Sequence, residues 1–175
     1  MIITIRTLKG HKGDFLRFAE EVPWTFSQET PQIATELTPL MVEGRVTNTG
    51  RAMYVEGSLH IKVRMTCTRC LDDYEEVLSA AFTEEYVSKA KAAALAAEGD
   101  DEWPDGVPTY SGDELDLHQL LWDTVMLAVP MKTICDAECK GMCPSCGESL
   151  NQGHCNCTSH RTDPRLASLA DLLKE

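Results

Sequence analysis

Eight cysteines in three groups are the feature that most restricts what this chain of 175 residues can fold into. The chain does not begin with the apolar run and small-residue cleavage site of a secretory signal, so the sequence predicts a cytoplasmic protein. Cytoplasmic thiols are kept reduced, and reduced cysteines at short spacings are typical of metal sites. The predicted metal ligands are Cys67, Cys70, Cys135, Cys139, Cys143, Cys146, Cys155 and Cys157.

Eight thiolates suffice for two tetrahedral zinc ions, and two pairings are open. In the first, the last four cysteines form one local site and the other four form a second. In the second pairing, the two Cys-x2-Cys turns, 67/70 and 143/146, share one metal as in a zinc ribbon. Four thiolates leave no open coordination position, which favours structural over catalytic zinc. An iron–sulfur cluster and a redox role for Cys67 and Cys70 are the open alternatives.

Strict alternation of apolar and polar residues predicts a long β-hairpin. From Met53 to Met65 every odd-numbered residue is apolar or glycine, which is the period of a half-buried strand. A shorter alternation covers 40–47, and the Asn48-Thr49-Gly50 turn lies between the two. A third strand is predicted over 75–86.

Two helical segments and weak patterns complete the prediction. Residues 88–98 are rich in alanine, and a second helix is predicted from Asp116, with Gln119 spaced for a capping box and Pro130 as its end. Residues 6–36 predict loops with one or two short elements. The fold class is therefore α+β, as an antiparallel β-sheet or partly open barrel built on the long hairpin.

The domain prediction divides the chain near residue 135. Residues 1–134 are predicted to form an antiparallel β plus helix domain, with a flexible acidic linker at about 88–112. Residues 135–175 are predicted to form a cysteine-rich zinc segment, followed by a helix from Asp163-Pro164. We expect the two parts to pack as one unit.

The negative charge is concentrated in the middle of the chain. The net charge is −12, and residues 71–123 contain fifteen acidic and two basic side chains. This excess opposes general nucleic-acid binding, because phosphates would be repelled. A basic stripe beside the first cysteine turn is either an ordinary solvated strand face or a small RNA-contacting patch; it consists of His60, Lys62, Arg64 and Arg69.

Six segments of the chain together carry a family resemblance. They are Cys67-Thr-Arg-Cys70-Leu71, Leu127-Ala128-Val129-Pro130, Cys139-Lys-Gly-Met-Cys-Pro-Ser-Cys-Gly147, Leu150-Asn151, Cys155-Asn-Cys157 and Asp163-Pro164-Arg165-Leu166. In this order they resemble the YceD family, the bacterial large ribosomal RNA subunit accumulation proteins. The resemblance implies a role in synthesis, processing or stability of large-subunit ribosomal RNA, without known enzymatic activity, in the bacterial cytoplasm.

Two functional hypotheses follow. The first is a non-enzymatic factor in large ribosomal subunit biogenesis, with large-subunit ribosomal RNA precursor or basic ribosomal proteins as partners. The alternative is a cytosolic zinc store or donor, which the eight thiolates suggest. No apolar run approaches the ~18 residues that span a bilayer, and no small-molecule substrate is expected.

Overall fold

The computed structural model describes residues 1–26, 30, 33–98, 106–153 and 155–157. Within these residues the chain is mostly sheet with two helices, which fits the α+β class loosely. In chain order the elements are β1 (Ile2–Thr4), β2 (Phe15–Val22), β3 (Ile33–Glu36), β4 (Leu40–Asn48), β5 (Met53–Thr66), β6 (Asp73–Ser88), α1 (Lys89–Glu98), β7 (Thr109–Tyr110), β8 (Glu114–Asp116) and α2 (His118–Ala128).

The main sheet is built around the predicted hairpin. Its strand order is β2-β4-β5-β6-β7, and β3 pairs with β5 beyond the end of β4. The hairpin register runs from Met41↔His60 to Asn48↔Met53, and the whole of β5 pairs with β6, from Met53↔Tyr86 to Thr66↔Asp73. In the described part of the chain the sheet is open, so the sheet alternative describes it and the barrel alternative does not. Strands β1 and β8 form a separate two-stranded sheet.

The alternation that predicts β5 also identifies the hydrophobic core. The odd-numbered side chains from Val55 to Met65, other than the glycine, are at most 1% exposed. They belong to one cluster with Leu115 of β8 and with Leu121 and Val125 of α2. Burying an aliphatic side chain of this size contributes roughly 1.5–3 kcal/mol, so this layer is a major source of stability.

The N-terminal third is more regular than the sequence predicts. Strand β2 pairs with β4 over eight residues, from Phe15↔Thr47 to Val22↔Leu40, and β3 pairs with β5. These pairings join distant segments, and β structure depends on such neighbours more than on local propensity. The weak local pattern of residues 6–36 therefore understates their order. The predicted linker at about 88–112 contains helix α1 and strand β7. Its residues 99–105 lie outside the described part of the chain.

Helix α2 begins two residues later than predicted. The Asp116 carboxylate accepts a hydrogen bond from the N–H of His118 at 2.9 Å, but Leu117 is the N-cap residue and provides no side-chain cap. Gln119 does not complete a capping box, because its side-chain amide donates to Asp123 instead. Val129 is extended before Pro130, as predicted.

Neither described helix is long and apolar enough to cross a membrane. The helix predicted from Asp163 lies outside the described residues.

Candidate metal centres

The structure brings the eight cysteines together as two groups of four. Within each group the sulfur atoms all lie within 4.8 Å of one another, so each can hold a metal ion. This is the first of the two pairings that the sequence left open. We call Cys67, Cys70, Cys135 and Cys139 the hairpin cluster, and Cys143, Cys146, Cys155 and Cys157 the local cluster.

The hairpin cluster joins the tip of the β5–β6 hairpin to the segment after α2. Thr133 makes this junction and is 1% exposed. No sequence pattern indicates it. Its carbonyl accepts the N–H of Thr68 at 2.8 Å, and its hydroxyl donates to the carbonyl of Thr66 at 2.7 Å. These bonds place Cys135 beside the first cysteine turn.

The sulfur spacing in the hairpin cluster fits zinc. Four thiolates at Zn–S distances of about 2.3 Å in a tetrahedron are about 3.8 Å apart. The sulfurs of Cys67 and Cys139 are 3.9 Å apart, and those of Cys70 and Cys135 are 3.7 Å apart. Three of the four cysteines are buried, and Cys135 is half-buried.

Both Cys-x2-Cys turns direct a backbone N–H group at the first sulfur. The N–H of Arg69 lies 3.4 Å from the sulfur of Cys67, and the N–H of Ser145 lies 3.4 Å from that of Cys143. Such donors favour the thiolate over the thiol, because they stabilise negative charge on sulfur. The backbone of each turn is thus arranged for a metal-binding thiolate.

Each turn also closes through a left-handed residue after its second cysteine. Leu71 has φ 61° and donates its N–H to the carbonyl of Cys67 at 2.9 Å. Gly147 has φ 76° and donates to the carbonyl of Cys143 at 2.8 Å. Glycine adopts this conformation freely, whereas leucine is strained in it. The first turn therefore contains strain that the second lacks.

Replacing Leu71 by glycine is expected to stabilise the protein. Leu71 is 59% exposed, so removing its side chain loses little packing. Relief of the left-handed strain stabilises the folded state, whereas the greater flexibility of glycine stabilises the unfolded chain. The net gain in the free energy of unfolding is about 0.5–1 kcal/mol. Gly147→Ala, the matched control, should destabilise by about 1 kcal/mol. Urea unfolding of the metal-loaded variants measures both. Destabilisation by Leu71→Gly would show that the leucine side chain contributes more than its exposure suggests.

Polar groups support Cys139 from outside its cluster. The Asn151 side-chain amide lies 3.4 Å from the Cys139 sulfur, and its oxygen accepts the N–H of Lys140 at 2.8 Å. The guanidinium of Arg69 donates to the carbonyl of Cys139 at 3.0 Å. Sequence reasoning missed Thr133 and Asn151, although Asn151 stands in the segment Leu150-Asn151 that carries the family resemblance.

Within each cluster, N–H donors lower the pKa of some thiols, whereas burial or a neighbouring sulfur raises the pKa of others. In the local cluster, the N–H groups of Ser145 and Cys146 lower the pKa of Cys143 to about 6. The nearby sulfur of Cys146 raises the pKa of Cys157 to about 12. Four adjacent thiolates repel one another, and a divalent cation between them removes that repulsion. The donor sets therefore suit a cation.

The hairpin cluster shows the same division. The Asn151 amide lowers the pKa of Cys139, whereas burial and then the Cys139 sulfur raise the pKa of Cys135. Burial raises the pKa of Cys67, but its backbone N–H donors outweigh burial and bring the pKa to about 6.

The predicted basic stripe is largely engaged within the protein. Lys62 contacts Glu75 at 2.5 Å, and Arg64 lies 3.8 Å from the same carboxylate. The hydrogen bond from Lys62 holds the pKa of Glu75 below its ordinary value. Arg69 faces the Cys139 carbonyl, while His60 is exposed on the outer face of β5. The four residues therefore lie along one strand and the turn after it, and three of them contact Glu75 or the Cys139 carbonyl.

The fold and site define a mostly β protein with two four-cysteine clusters, one of which ties a long hairpin to the chain after α2. The family model described as "Large ribosomal RNA subunit accumulation protein YceD" matches residues 55–173, which is more than half of the chain. The chain belongs to this family. The match includes both cysteine clusters.

Curated relatives agree with this family membership. A chloroplastic protein of Arabidopsis thaliana named "Large ribosomal RNA subunit accumulation protein YCED homolog 1" is 27% identical over 79% of this chain and 50% of its own length. An uncharacterized Mycobacterium tuberculosis protein is 29% identical over 74% of this chain and 59% of its own. The chain thus spans little more than half of these relatives. No solved structure matches it significantly.

Proposed function

We propose that this protein is a non-enzymatic cytoplasmic factor that supports synthesis, processing or stability of large-subunit ribosomal RNA. The family match over residues 55–173 carries this proposal. The name of the Arabidopsis relative, which concerns accumulation of the large ribosomal RNA, supports it. Its partners are the RNA precursor or basic ribosomal proteins.

We further propose that both clusters hold structural zinc. The 3.7 and 3.9 Å sulfur separations and the N–H groups directed at Cys67 and Cys143 support this metal. Zinc in the hairpin cluster would cross-link the β5–β6 hairpin to the segment after α2. Four thiolate ligands leave no position for a substrate, so the metal organises a binding surface rather than performing chemistry.

Loss of the protein is expected to lower the ratio of large-subunit to small-subunit ribosomal RNA in cells. Deletion of the gene, followed by quantification of both RNAs and their precursors, measures this ratio. A plasmid copy of the wild-type gene should restore it. An unchanged ratio in the deletion strain, under conditions where growth demands rapid ribosome synthesis, would contradict the proposed function.

Direct RNA contact is tested by charge reversal on the outer face of β5. The double variant Lys62→Glu/Arg64→Glu should reduce ultraviolet crosslinking to large-subunit RNA precursors, if these side chains leave Glu75 to contact phosphate. The variant Lys12→Glu/Arg17→Glu changes the net charge equally at exposed sites elsewhere and serves as the control. Equal crosslinking of all three proteins would exclude the RNA patch and favour a protein partner.

Zinc storage is the second candidate, because the local cluster is more open than the hairpin cluster. Cys146 is exposed, and Cys155 and Cys157 are half-buried. A zinc donor should release this metal to a weak chelator while staying folded. Retention of the metal, or unfolding when it is removed, is the behaviour of a structural site and would exclude donation.

A further inference from the structure

Strand β6 has a long edge that no other strand covers in the part of the chain that the structure describes. One edge pairs with β5 from Asp73 to Tyr86, while the other pairs, among these residues, with β7 at Val87 and Ser88 only. An uncovered edge of this length is a template for another strand, and proteins usually shorten, charge or cover it. The sheet therefore ends in a surface that can add a strand.

The alternation of the strand shows which backbone groups face this open edge. The N–H of Val87 points to the β7 side, where it donates to the carbonyl of Pro108 at 3.1 Å. With a period of two, the odd-numbered residues from 73 to 85 present their N–H and C=O groups on the same side. Among the described residues, only the N–H of Glu85 has a hydrogen-bond partner there, the Glu84 carboxylate at 3.0 Å.

A groove runs along this edge between β6 and α2. It consists of two clefts of about 680 and 340 Å³, which both include Ser79 and Ala128 and therefore meet. Leu127 of α2 lines the larger cleft and is 86% exposed, and Val77 lines the smaller one and is 52% exposed. The groove offers an added strand apolar contacts as well as backbone hydrogen bonds.

The charge of the groove selects its occupant. Glu84 and Asp123 line the larger cleft and Glu76 lines the smaller, whereas Lys132 is the only basic residue among the described lining residues. The edge also lies in the segment 71–123, with its fifteen acidic and two basic residues. This surface repels RNA phosphate, and a second copy of the chain would bring the same negative edge against it.

We infer that the open edge of β6 binds an extended, basic polypeptide segment as an additional strand. Backbone hydrogen bonds from the odd-numbered residues provide affinity, and the acidic groove selects lysine- and arginine-rich sequences. The inference rests on the proposed function in that it names the protein-partner class for a ribosome biogenesis factor, and it adds the surface where that partner binds.

Replacing Ala81 by proline is expected to weaken binding of a basic extended peptide at least about tenfold, because it removes one outward N–H and places a ring in the path of the strand. Proline is tolerated at an edge when the lost N–H does not face a neighbouring strand. Ala81→Ser keeps the N–H and should bind normally. The probe is a fluorescent peptide of about twelve alternating lysines and valines, titrated by anisotropy against the full chain.

A charge variant tests the groove independently. Asp123→Lys should also weaken binding of the probe, while Asp123→Asn should have a smaller effect. If Ala81→Pro does not fold, two probes with N-methyl groups on alternate residues replace it. Only one edge of an added strand is used, so one probe should bind and the other should not.

Three results would overturn the inference. They are no binding of the basic probe, equal binding of both N-methylated probes, and self-association of the wild-type chain that Ala81→Pro abolishes. A fall in ribosomal RNA on gene deletion together with no probe binding would leave the proposed function intact and reject this site. Probe binding that depends on Ala81, with normal ribosomal RNA in the deletion strain, would support the site and reject the proposed function.

Discussion

The variant Cys67→Ser is expected to bind one metal ion fewer than the wild type and to unfold at a temperature lower by about 10 °C. Cys67 is fully buried, and its sulfur lies 3.9 Å from that of Cys139 across the hairpin cluster. Serine cannot supply a thiolate, so the remaining three ligands would hold zinc poorly.

The size of this effect follows from the loop that the cluster closes. The loop between Cys70 and Cys135 is about 65 residues long. Cross-linking the ends of such a loop stabilises a fold by roughly 4 kcal/mol in the chain-entropy model. In a chain of this length about 1 kcal/mol corresponds to 2–4 °C in melting temperature. The loop contains β6, α1 and α2, so loss of the cross-link frees one end of the main sheet from the segment after α2.

Cys146→Ser is the matched control in the local cluster. It should also remove one metal ion, but it should lower the melting temperature much less. Cys146 is exposed, and the distance along the chain to Cys155 is short, so its cross-link restrains little of the unfolded chain. Metal content by mass spectrometry and melting by calorimetry measure both effects. Equal losses of melting temperature would contradict the separate roles of the two clusters.

The sequence predicted those features that repeat along the chain or depend on residue type. The alternation from Met53 to Met65 located the central strand and its buried face, because a half-buried strand requires that period. The turn Cys143-Pro-Ser-Cys146-Gly147 predicted a pair of metal ligands, because proline and glycine favour a tight chelating loop, but it left open which other cysteines share their metal. Both features are local.

Features that depend on distant partners were not predicted. Strand β2 has no buried residue and is ordered by its pairing with β4, which its own residues do not indicate. Leu71 adopts a left-handed conformation that leucine rarely has, so nothing in its identity marks the turn. Arg69 was assigned to the basic stripe, but its long side chain reaches the Cys139 carbonyl.

Replacing Gly57 by alanine is expected to destabilise the protein by about 3 kcal/mol or more, because there is no room for a methyl group in the sheet. A Cβ atom on Gly57 would lie 2.2 Å from the carbonyl oxygen of Glu43 on β4 and 2.7 Å from the ring of Phe82 on β6. A Cβ atom on Gly44, which pairs with Gly57, would likewise lie 2.3 Å from the carbonyl oxygen of Glu56. Here β4 and β5 approach too closely for any side chain.

Gly153→Ala is the matched control, since a Cβ at that position meets nothing within 4 Å. The double variant Gly57→Ala/Phe82→Leu separates the two contacts. It removes the far end of the ring but leaves the Glu43 carbonyl, so we expect little recovery of the free energy of unfolding in urea. Full recovery would show that the ring, and not the approach of the two backbones, excludes a side chain at Gly57.

Metal content distinguishes this effect from that of Cys67→Ser. Gly57 lies ten residues before Cys67, which directly follows the end of β5, so the two are about 33 Å apart along the chain. A folded Gly57→Ala protein should therefore retain both metal ions while its melting temperature falls, whereas Cys67→Ser loses metal and stability together. The centre of the sheet and its metal-bound end would then stabilise the fold independently, and their free-energy effects should add in the double variant.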